Sequence, residues 1–108
     1  MRIEIINTGS ELLLGSTINT HGAWIGQRLI ELGLQVQRLI TVPDGDPIRD
    51  AIKDSIEVCD VLIVTGGLGP TSDDITREAT AEALGVELIE DEHAVRCIEQ
   101  YFQKINRP

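Results

Sequence analysis

The residues best suited to chemistry lie in one short stretch, a glycine-rich turn followed by two adjacent aspartates. The turn contains Gly66, Gly67 and Gly69 and comes directly after an apolar run. Such a turn between a strand and a helix brings backbone N–H groups close to a bound anion, at the positive end of the helix dipole. Asp73 and Asp74 follow, and because carboxylates repel a bare phosphate, they indicate a bridging divalent cation. The stretch predicts a metal-assisted site for a phosphorylated ligand.

The glycine pattern differs from two common phosphate-binding loops. It lacks the Gly-Lys-Ser/Thr ending of a Walker A loop. It also lacks the third glycine of a dinucleotide fingerprint, because Ser72 occupies that place and Pro70 stiffens the turn. The glycines alone are weak evidence, whereas the full string from Val64 to Asp74 is more specific.

The elements that must position this turn alternate along the chain. Apolar segments predict strands over Ile3–Asn7, Val36–Val42 and Val61–Thr65, with Val86–Ile89 as a candidate short extra strand. Helical spacing predicts four helices with the apolar faces Ile18, Gly22, Ile25, Leu29 and Leu32; Ile48, Ala51, Ile52 and Ile56; Ile75, Ala79 and Ala83; and Ala94, Ile98, Tyr101 and Ile105. Predicted boundaries are Gly33 as a C-cap, Asp46 as an N-cap before Pro47, Gly85 as a stop, and an end near Pro108. Alternation of strands and helices predicts an α/β fold with helices on both faces of a parallel sheet.

The predicted topology brings two polar loops together. In open parallel sheets, ligands bind beyond the carboxyl ends of the strands where the strand order reverses. If the order begins 2-1-3, the loop from Thr8 to Glu11 faces the loop from Thr65 to Asp74 across that crevice. Both loops are rich in polar residues and glycine. The two signals therefore predict one site.

Composition limits the possible functions of the chain. Its 108 residues are enough for one domain with a modest core, and its formal net charge of -9 argues against nucleic acids or anionic membranes as partners. No apolar run approaches the ~20 residues of a membrane span, and the start of the chain lacks a signal-peptide pattern. Cys59 and Cys97 have no metal-ligand spacing and are expected to be buried free thiols. These features predict a cytoplasmic protein.

The string Thr65–Thr71, followed by Asp73–Thr76 and Glu78-Ala79, resembles the competence/damage-inducible protein A (CinA) family within the molybdopterin-binding superfamily. Further support comes from Gly9–Leu13, Gly15, Ile18–Thr20 and Asp44. The resemblance covers essentially the whole chain. It departs from the family at His21, where family members often have asparagine.

The resemblance implies a three-layer α/β/α domain with a mostly parallel sheet, spanning residues 1–108. It also implies that the C-terminal part of the usual domain, which carries a further strand and a second glycine-containing loop, is missing. CinA-like domains are associated with metal-dependent hydrolysis of ADP-ribose to AMP and ribose 5-phosphate, and relatives adenylylate molybdopterin. Self-association of relatives implies a homo-oligomer.

Carried onto this chain, the resemblance assigns residue roles. Asp73 and Asp74 would hold Mg²⁺ or a similar divalent ion, with K⁺ as a further candidate, and Glu11 would position the attacking water. The implied ligand-binding residues are Thr8, Gly9, Ser10, Thr65, Gly66, Gly67, Leu68, Gly69, Pro70 and Thr76.

Alternatives to these roles come from ordinary structural chemistry. Asp73 or Asp74 could cap the third helix, and Thr76 could support that cap. Glu11 could be a solvated carboxylate. For the whole chain, a non-catalytic module that binds a molybdopterin-like or nucleotide ligand is the rival of pyrophosphate hydrolysis, and adenylyl transfer to molybdopterin is a third possibility.

Overall fold

The computed structural model describes residues 1–15 and 18–105. The elements, in chain order, are β1 (Ile3–Thr8), α1 (Ser10–Leu13), α2 (Thr20–Glu31), β2 (Val36–Val42), α3 (Asp46–Ile56), β3 (Val61–Thr65), α4 (Thr76–Leu84) and α5 (Glu92–Lys104). The predicted end of the last helix near Pro108 lies outside the described residues. No helix in the described ranges is long and apolar enough to cross a membrane.

The three strands form one parallel sheet in the order β2-β1-β3. The central strand β1 is buried along its whole length, as expected for a strand covered on both faces. The carboxyl ends at Thr8, Val42 and Thr65 lie at the same edge, because Thr8 pairs with Val42 and Asn7 pairs with Thr65. The predicted strand order and parallel sheet are confirmed.

Helices cover both faces of the sheet. On one face, Ile6 packs with Ile48 and Ile52 of α3 and with Ala79 of α4 to form the buried core. Asn7 points to the opposite face, because successive strand side chains alternate. There α2 approaches closely through Gly22, whose missing Cβ would lie only 2.7 Å from Leu39 Cδ1 and 3.3 Å from Asn7 Nδ2. The fold is therefore a three-layer α/β/α arrangement.

Several element boundaries differ from those predicted. The loop after β1 contains the short helix α1. Gly45, not Asp46, is the N-cap of α3, and the Asp46 side chain lies within the first turn, where it makes no capping hydrogen bond. The segment Val86–Ile89 forms no strand. Its last residue is 84% exposed, so no sheet edge holds it.

Some predicted apolar faces are exposed. Ile18 and Leu32 lie outside α2 and are largely exposed, and Ile56 at the last turn of α3 is also exposed. Helix α5 forms as its spacing predicts but buries no residue. Periodicity reports which side chains share a face, whereas burial requires a neighbouring element to cover that face.

The cysteines are more exposed than expected, and the tryptophan is exposed as well. Cys97 is exposed on α5 and Cys59 is half-buried, although both are free thiols as predicted. Trp24 is 59% exposed, with the Arg28 guanidinium 5.1 Å from its ring centroid.

Candidate functional site

The glycine turn between β3 and α4 owes its shape to two glycines in the left-handed region. Gly66 has φ +90° and Gly67 has φ +67°, conformations that glycine adopts without steric cost. A Cβ at Gly66 would lie 2.5 Å from the Thr8 carbonyl oxygen, and one at Gly67 would collide with Thr76 Oγ1. Both glycines are therefore required by their backbone angles and by their neighbours.

Two buried threonines stabilise this turn through hydrogen bonds from their side-chain hydroxyls. Thr8 Oγ1 donates to the Thr65 carbonyl oxygen at 3.0 Å, and Thr76 Oγ1 donates to the Gly66 carbonyl oxygen at 2.7 Å. The two hydroxyl oxygens are 3.5 Å apart. Because each hydroxyl hydrogen is already used, neither threonine has a proton to donate to a phosphate oxygen. Thr76 supports the glycine turn in this way, and no helix cap depends on it.

The backbone of the turn leaves donors available. Gly67 uses its carbonyl oxygen to accept the Thr76 backbone N–H at 3.2 Å. The N–H groups of Gly67 and Leu68, in contrast, have no acceptor among the described residues. Unpaired N–H groups beside the start of a helix are the usual donors to a bound anion.

The two aspartates have different surroundings. Asp74 folds back over the turn, and its Oδ2 accepts from Thr71 Oγ1 at 2.7 Å and from the Thr71 backbone N–H at 3.1 Å. These bonds lower the pKa of Asp74, chiefly the hydroxyl bond from Thr71, so the group is a carboxylate at neutral pH. Asp73 is exposed. The N-cap of α4 is Ile75 with no side-chain capping bond, so the capping alternative for the aspartates is wrong.

A cleft of about 400 Å³ opens on the α2 side of the turn. Five predicted site residues line it: Thr8, Glu11, Thr65, Gly66 and Leu68. The other predicted residues, Gly9, Ser10, Gly67, Gly69, Pro70, Asp73, Asp74 and Thr76, are not among its lining residues. The structure thus brings the two predicted loops to one cleft and places the aspartates outside its lining.

Residues of the loop after β1 contact two different parts of the structure, the end of β2 and the cleft. Gly9 donates its N–H to the Val42 carbonyl oxygen at 3.1 Å, and Ser10 Oγ accepts the Asp44 backbone N–H at 3.3 Å. These bonds tie Gly9 and Ser10 to the end of β2. Glu11 places its carboxylate beside Gly9 and lines the cleft together with Thr8.

Sequence reasoning missed the wall of the cleft that α2 supplies. Asn19, Thr20 and His21 line this wall, and the Asn19 side chain caps α2 by accepting the Gly22 N–H at 3.1 Å. The asparagine before a helical apolar pattern was an available signal.

A buried asparagine in the central strand was also missed. Asn7 is fully buried, and its Oδ1 accepts a hydrogen bond from Thr65 Oγ1 at 2.8 Å. The only sequence signal is a polar residue at the end of an apolar strand, which by itself also fits a strand boundary.

The carboxylates near the glycine turn could hold a metal ion only if a bound ligand supplies further oxygen ligands. Among residues 1–15 and 18–105, no group of three or more His, Cys, Asp or Glu side chains is placed to hold an ion. Mg²⁺ commonly takes one or two carboxylates and completes its shell with substrate phosphates and water. Asp74, whose carboxylate lies over the glycine turn near Gly69, suits that restricted role, and Asp73 precedes it as an exposed carboxylate.

Comparisons with known proteins agree with this architecture. Residues 4–107 match the family described as "Probable molybdopterin binding domain". A CinA-like protein of Akkermansia muciniphila is 49% identical over 108 residues, which are 100% of this chain and 26% of that protein. The chain spans about a quarter of the length of the curated CinA-like relatives it matches.

Solved structures show the same relationship. The structure of CinA from Thermoplasma acidophilum, a protein of unknown function, superposes with a TM-score of 0.86 at 40% identity, over 93% of this chain and 62% of that one. A structure of MogA superposes with a TM-score of 0.68 at 28% identity, over 76% of this chain and 55% of that one. The resemblance found in the sequence is confirmed, and the chain belongs to the molybdopterin-binding domain family, with similarity to CinA-like proteins.

Proposed function

We propose that the cleft binds a phosphorylated ligand of the ADP-ribose type and supports metal-dependent hydrolysis of its pyrophosphate bond. The observation that carries the proposal is the pair of N–H groups at Gly67 and Leu68, which have no acceptor among the described residues and lie on a turn that also holds the Asp74 carboxylate. A site for an anion alone needs no carboxylate beside it. A carboxylate and free N–H groups on one turn suit a phosphate that arrives with a cation.

In this proposal each group of the chain has a defined task. The N–H groups of Gly67 and Leu68 donate to phosphate oxygens and stabilise the charge that builds on the leaving phosphate. Asp73 and Asp74 would hold Mg²⁺, which supplies positive charge next to the phosphates. Glu11, in the cleft wall, orients the water. The water oxygen bonds to one phosphorus, and the bond from that phosphorus to the bridging oxygen breaks. The bridging oxygen leaves with the other phosphate and a proton of the water passes to solvent, giving AMP and ribose 5-phosphate.

A non-catalytic binding module is the second candidate. Family membership favours it, because the matching family is described by molybdopterin binding. The same cleft would then hold a molybdopterin-like ligand for a partner, in a cytoplasmic homo-oligomer. Adenylyl transfer to molybdopterin would use the same turn and would require ATP or an adenylylated pterin.

The test is to incubate this chain with ADP-ribose, once with Mg²⁺ and once with EDTA. Formation of AMP and ribose 5-phosphate is measured by ³¹P NMR. We expect turnover with Mg²⁺ only. We expect Asp73→Asn and Asp74→Asn each to weaken the apparent Mg²⁺ affinity at least about 10-fold. Each removes a charged ligand, and loss of a partner that only supports a metal ligand already costs about 10- to 100-fold. The amide introduced by Asp74→Asn still offers an oxygen to Thr71, so the turn should be preserved.

Asp54→Asn is the matched control, because Asp54 is an exposed carboxylate on α3, outside the cleft. It should leave turnover unchanged. Binding of ADP-ribose without product would favour the binding module. Turnover that survives both EDTA and the two aspartate variants would contradict the metal-dependent proposal.

A further inference from the structure

Thr65, which lines the cleft, is hydrogen-bonded to the fully buried Asn7. Asn7 and Thr65 lie opposite each other on β1 and β3, and the Thr65 hydroxyl donates its hydrogen to Asn7 Oδ1 at 2.8 Å. A threonine hydroxyl has one hydrogen and two lone pairs. With the hydrogen directed at Asn7, the Thr65 oxygen can only accept a hydrogen bond on its cleft side.

Thr65 lines the cleft, so this acceptor is offered to a ligand bound there. Gly67 and Leu68, in contrast, present backbone donors on the glycine turn. The cleft at Thr65 therefore offers an acceptor, and the glycine turn offers donors.

The side-chain nitrogen of Asn7 is buried at a cost in folding stability. Among the described residues, Asn7 Nδ2 has no hydrogen-bond partner although the residue is fully buried. It lies under the first turn of α2, where the glycine at position 22 leaves room for it. Buried polar groups are normally paired, so an unpaired one in a central strand needs a reason other than stability. Orientation of the Thr65 hydroxyl provides that reason.

We infer that Asn7 is a positioning residue that makes Thr65 an obligate acceptor, so that the inner cleft selects the uncharged, donor-bearing ring of the ligand. The ring is one that carries hydroxyl or N–H groups, such as a ribose or a pterin. The ligand then binds in a single orientation, with its ring at Thr65 and its phosphates at Gly67 and Leu68. The inference rests on the proposed function only in taking this cleft as the ligand site.

The experiment measures dissociation constants for three probes: ribose 5-phosphate, pterin and inorganic pyrophosphate. Each is titrated into this chain and into its Thr65→Val and Thr65→Ser variants. Valine has nearly the shape of threonine without the hydroxyl, and serine restores the hydroxyl. For whichever ring probe binds, we expect Thr65→Val to raise the dissociation constant about tenfold, which corresponds to the loss of one hydrogen bond. The dissociation constant of pyrophosphate should change by less than about twofold. Thr65→Ser should recover most of the loss.

Asn7→Ala tests the positioning role itself. Without Asn7 the Thr65 hydroxyl can rotate and donate, so the preference for the ring probe over pyrophosphate should fall about three- to tenfold. If Asn7→Ala does not fold, the valine and serine pair at Thr65 carries the test.

Each outcome has a defined meaning. Equal ring-probe affinity in wild type and Thr65→Val overturns the inference and leaves the phosphate site standing. An equal loss for pyrophosphate shows a structural role of Thr65 and also overturns it. If pyrophosphate binds and neither ribose 5-phosphate nor pterin binds, the inference is also overturned. Binding of a ring probe without pyrophosphate keeps the inference and overturns the proposed function, and binding of no probe overturns both.

Discussion

Replacing Gly67 by alanine is expected to destabilise the protein by about 3 kcal/mol and to weaken phosphate binding more than tenfold. A non-glycine residue at φ +67° costs about 1–2 kcal/mol. The added Cβ also collides with Thr76 Oγ1, so the Thr76 bond to the Gly66 carbonyl is lost, at about 1 kcal/mol. Urea denaturation and pyrophosphate titration measure the two effects.

Two other glycines separate the causes of this expected loss. Gly85 has φ +68° with no atom within 4 Å of a Cβ position, so Gly85→Ala should cost only about 1–2 kcal/mol of backbone strain. Gly26 lies in α2 with open space and ordinary helical angles, so Gly26→Ala should stabilise by about 0.5–1 kcal/mol. Neither control should change phosphate affinity. If Gly67→Ala were no worse than Gly85→Ala, the contact with Thr76 would be unimportant.

The second large effect is expected at Glu4, a carboxylate buried in the central strand. Glu4 is 1% exposed, and its two oxygens accept from Arg2 Nε at 2.7 Å and from Arg38 Nε at 3.0 Å. Burial raises the pKa of Glu4, but hydrogen bonds from Arg2, Ser55 and Arg38 and the charge of Arg38 together outweigh burial and lower the pKa below 4.5. The folded state therefore holds this group as a carboxylate.

The lowered pKa sets the direction of the pH dependence. The contribution of Glu4 to the free energy of unfolding is fully present above pH ~4.5, where the unfolded chain is also ionised. It is lost as the pH falls through the folded-state pKa. Denaturation series between about pH 7 and about pH 3 should therefore show a decrease in stability that is smaller in Glu4→Gln.

At neutral pH, Glu4→Gln should cost about 2–3 kcal/mol, because it leaves two arginines without their buried partner. The value is at the lower end for a buried pair, since the arginine side chains are 45% and 40% exposed and can turn to water. Glu31→Gln is the control, because Glu31 pairs with Arg28 on the surface and should cost less than about 1 kcal/mol. Equal losses in both variants would contradict a special role of burial at Glu4.

The sequence by itself determined the elements and the region of the site. Runs of aliphatic residues predicted the three observed strands and one, Val86–Ile89, that does not form. Helical spacing predicted four of the five helices seen in residues 1–15 and 18–105, because each pattern follows from the local backbone period. The glycine turn followed by Asp73 and Asp74 predicted one loop of the candidate site. Topology rules then paired that loop with the one after β1, and the parallel order β2-β1-β3 confirms the pairing.

Only the tertiary structure decided which side chains face the cleft and which support it. Thr8 and Thr65 meet across 57 positions of sequence, and the contact between Thr8 and Thr76 joins positions 68 apart. Such contacts, and the directions of the hydrogen bonds they contain, depend on how strands and helices pack, and no local period encodes them. The same reason explains why Asn7 and the α2 wall at Asn19 were missed, and why the apolar face of α5 could be predicted while its exposure could not.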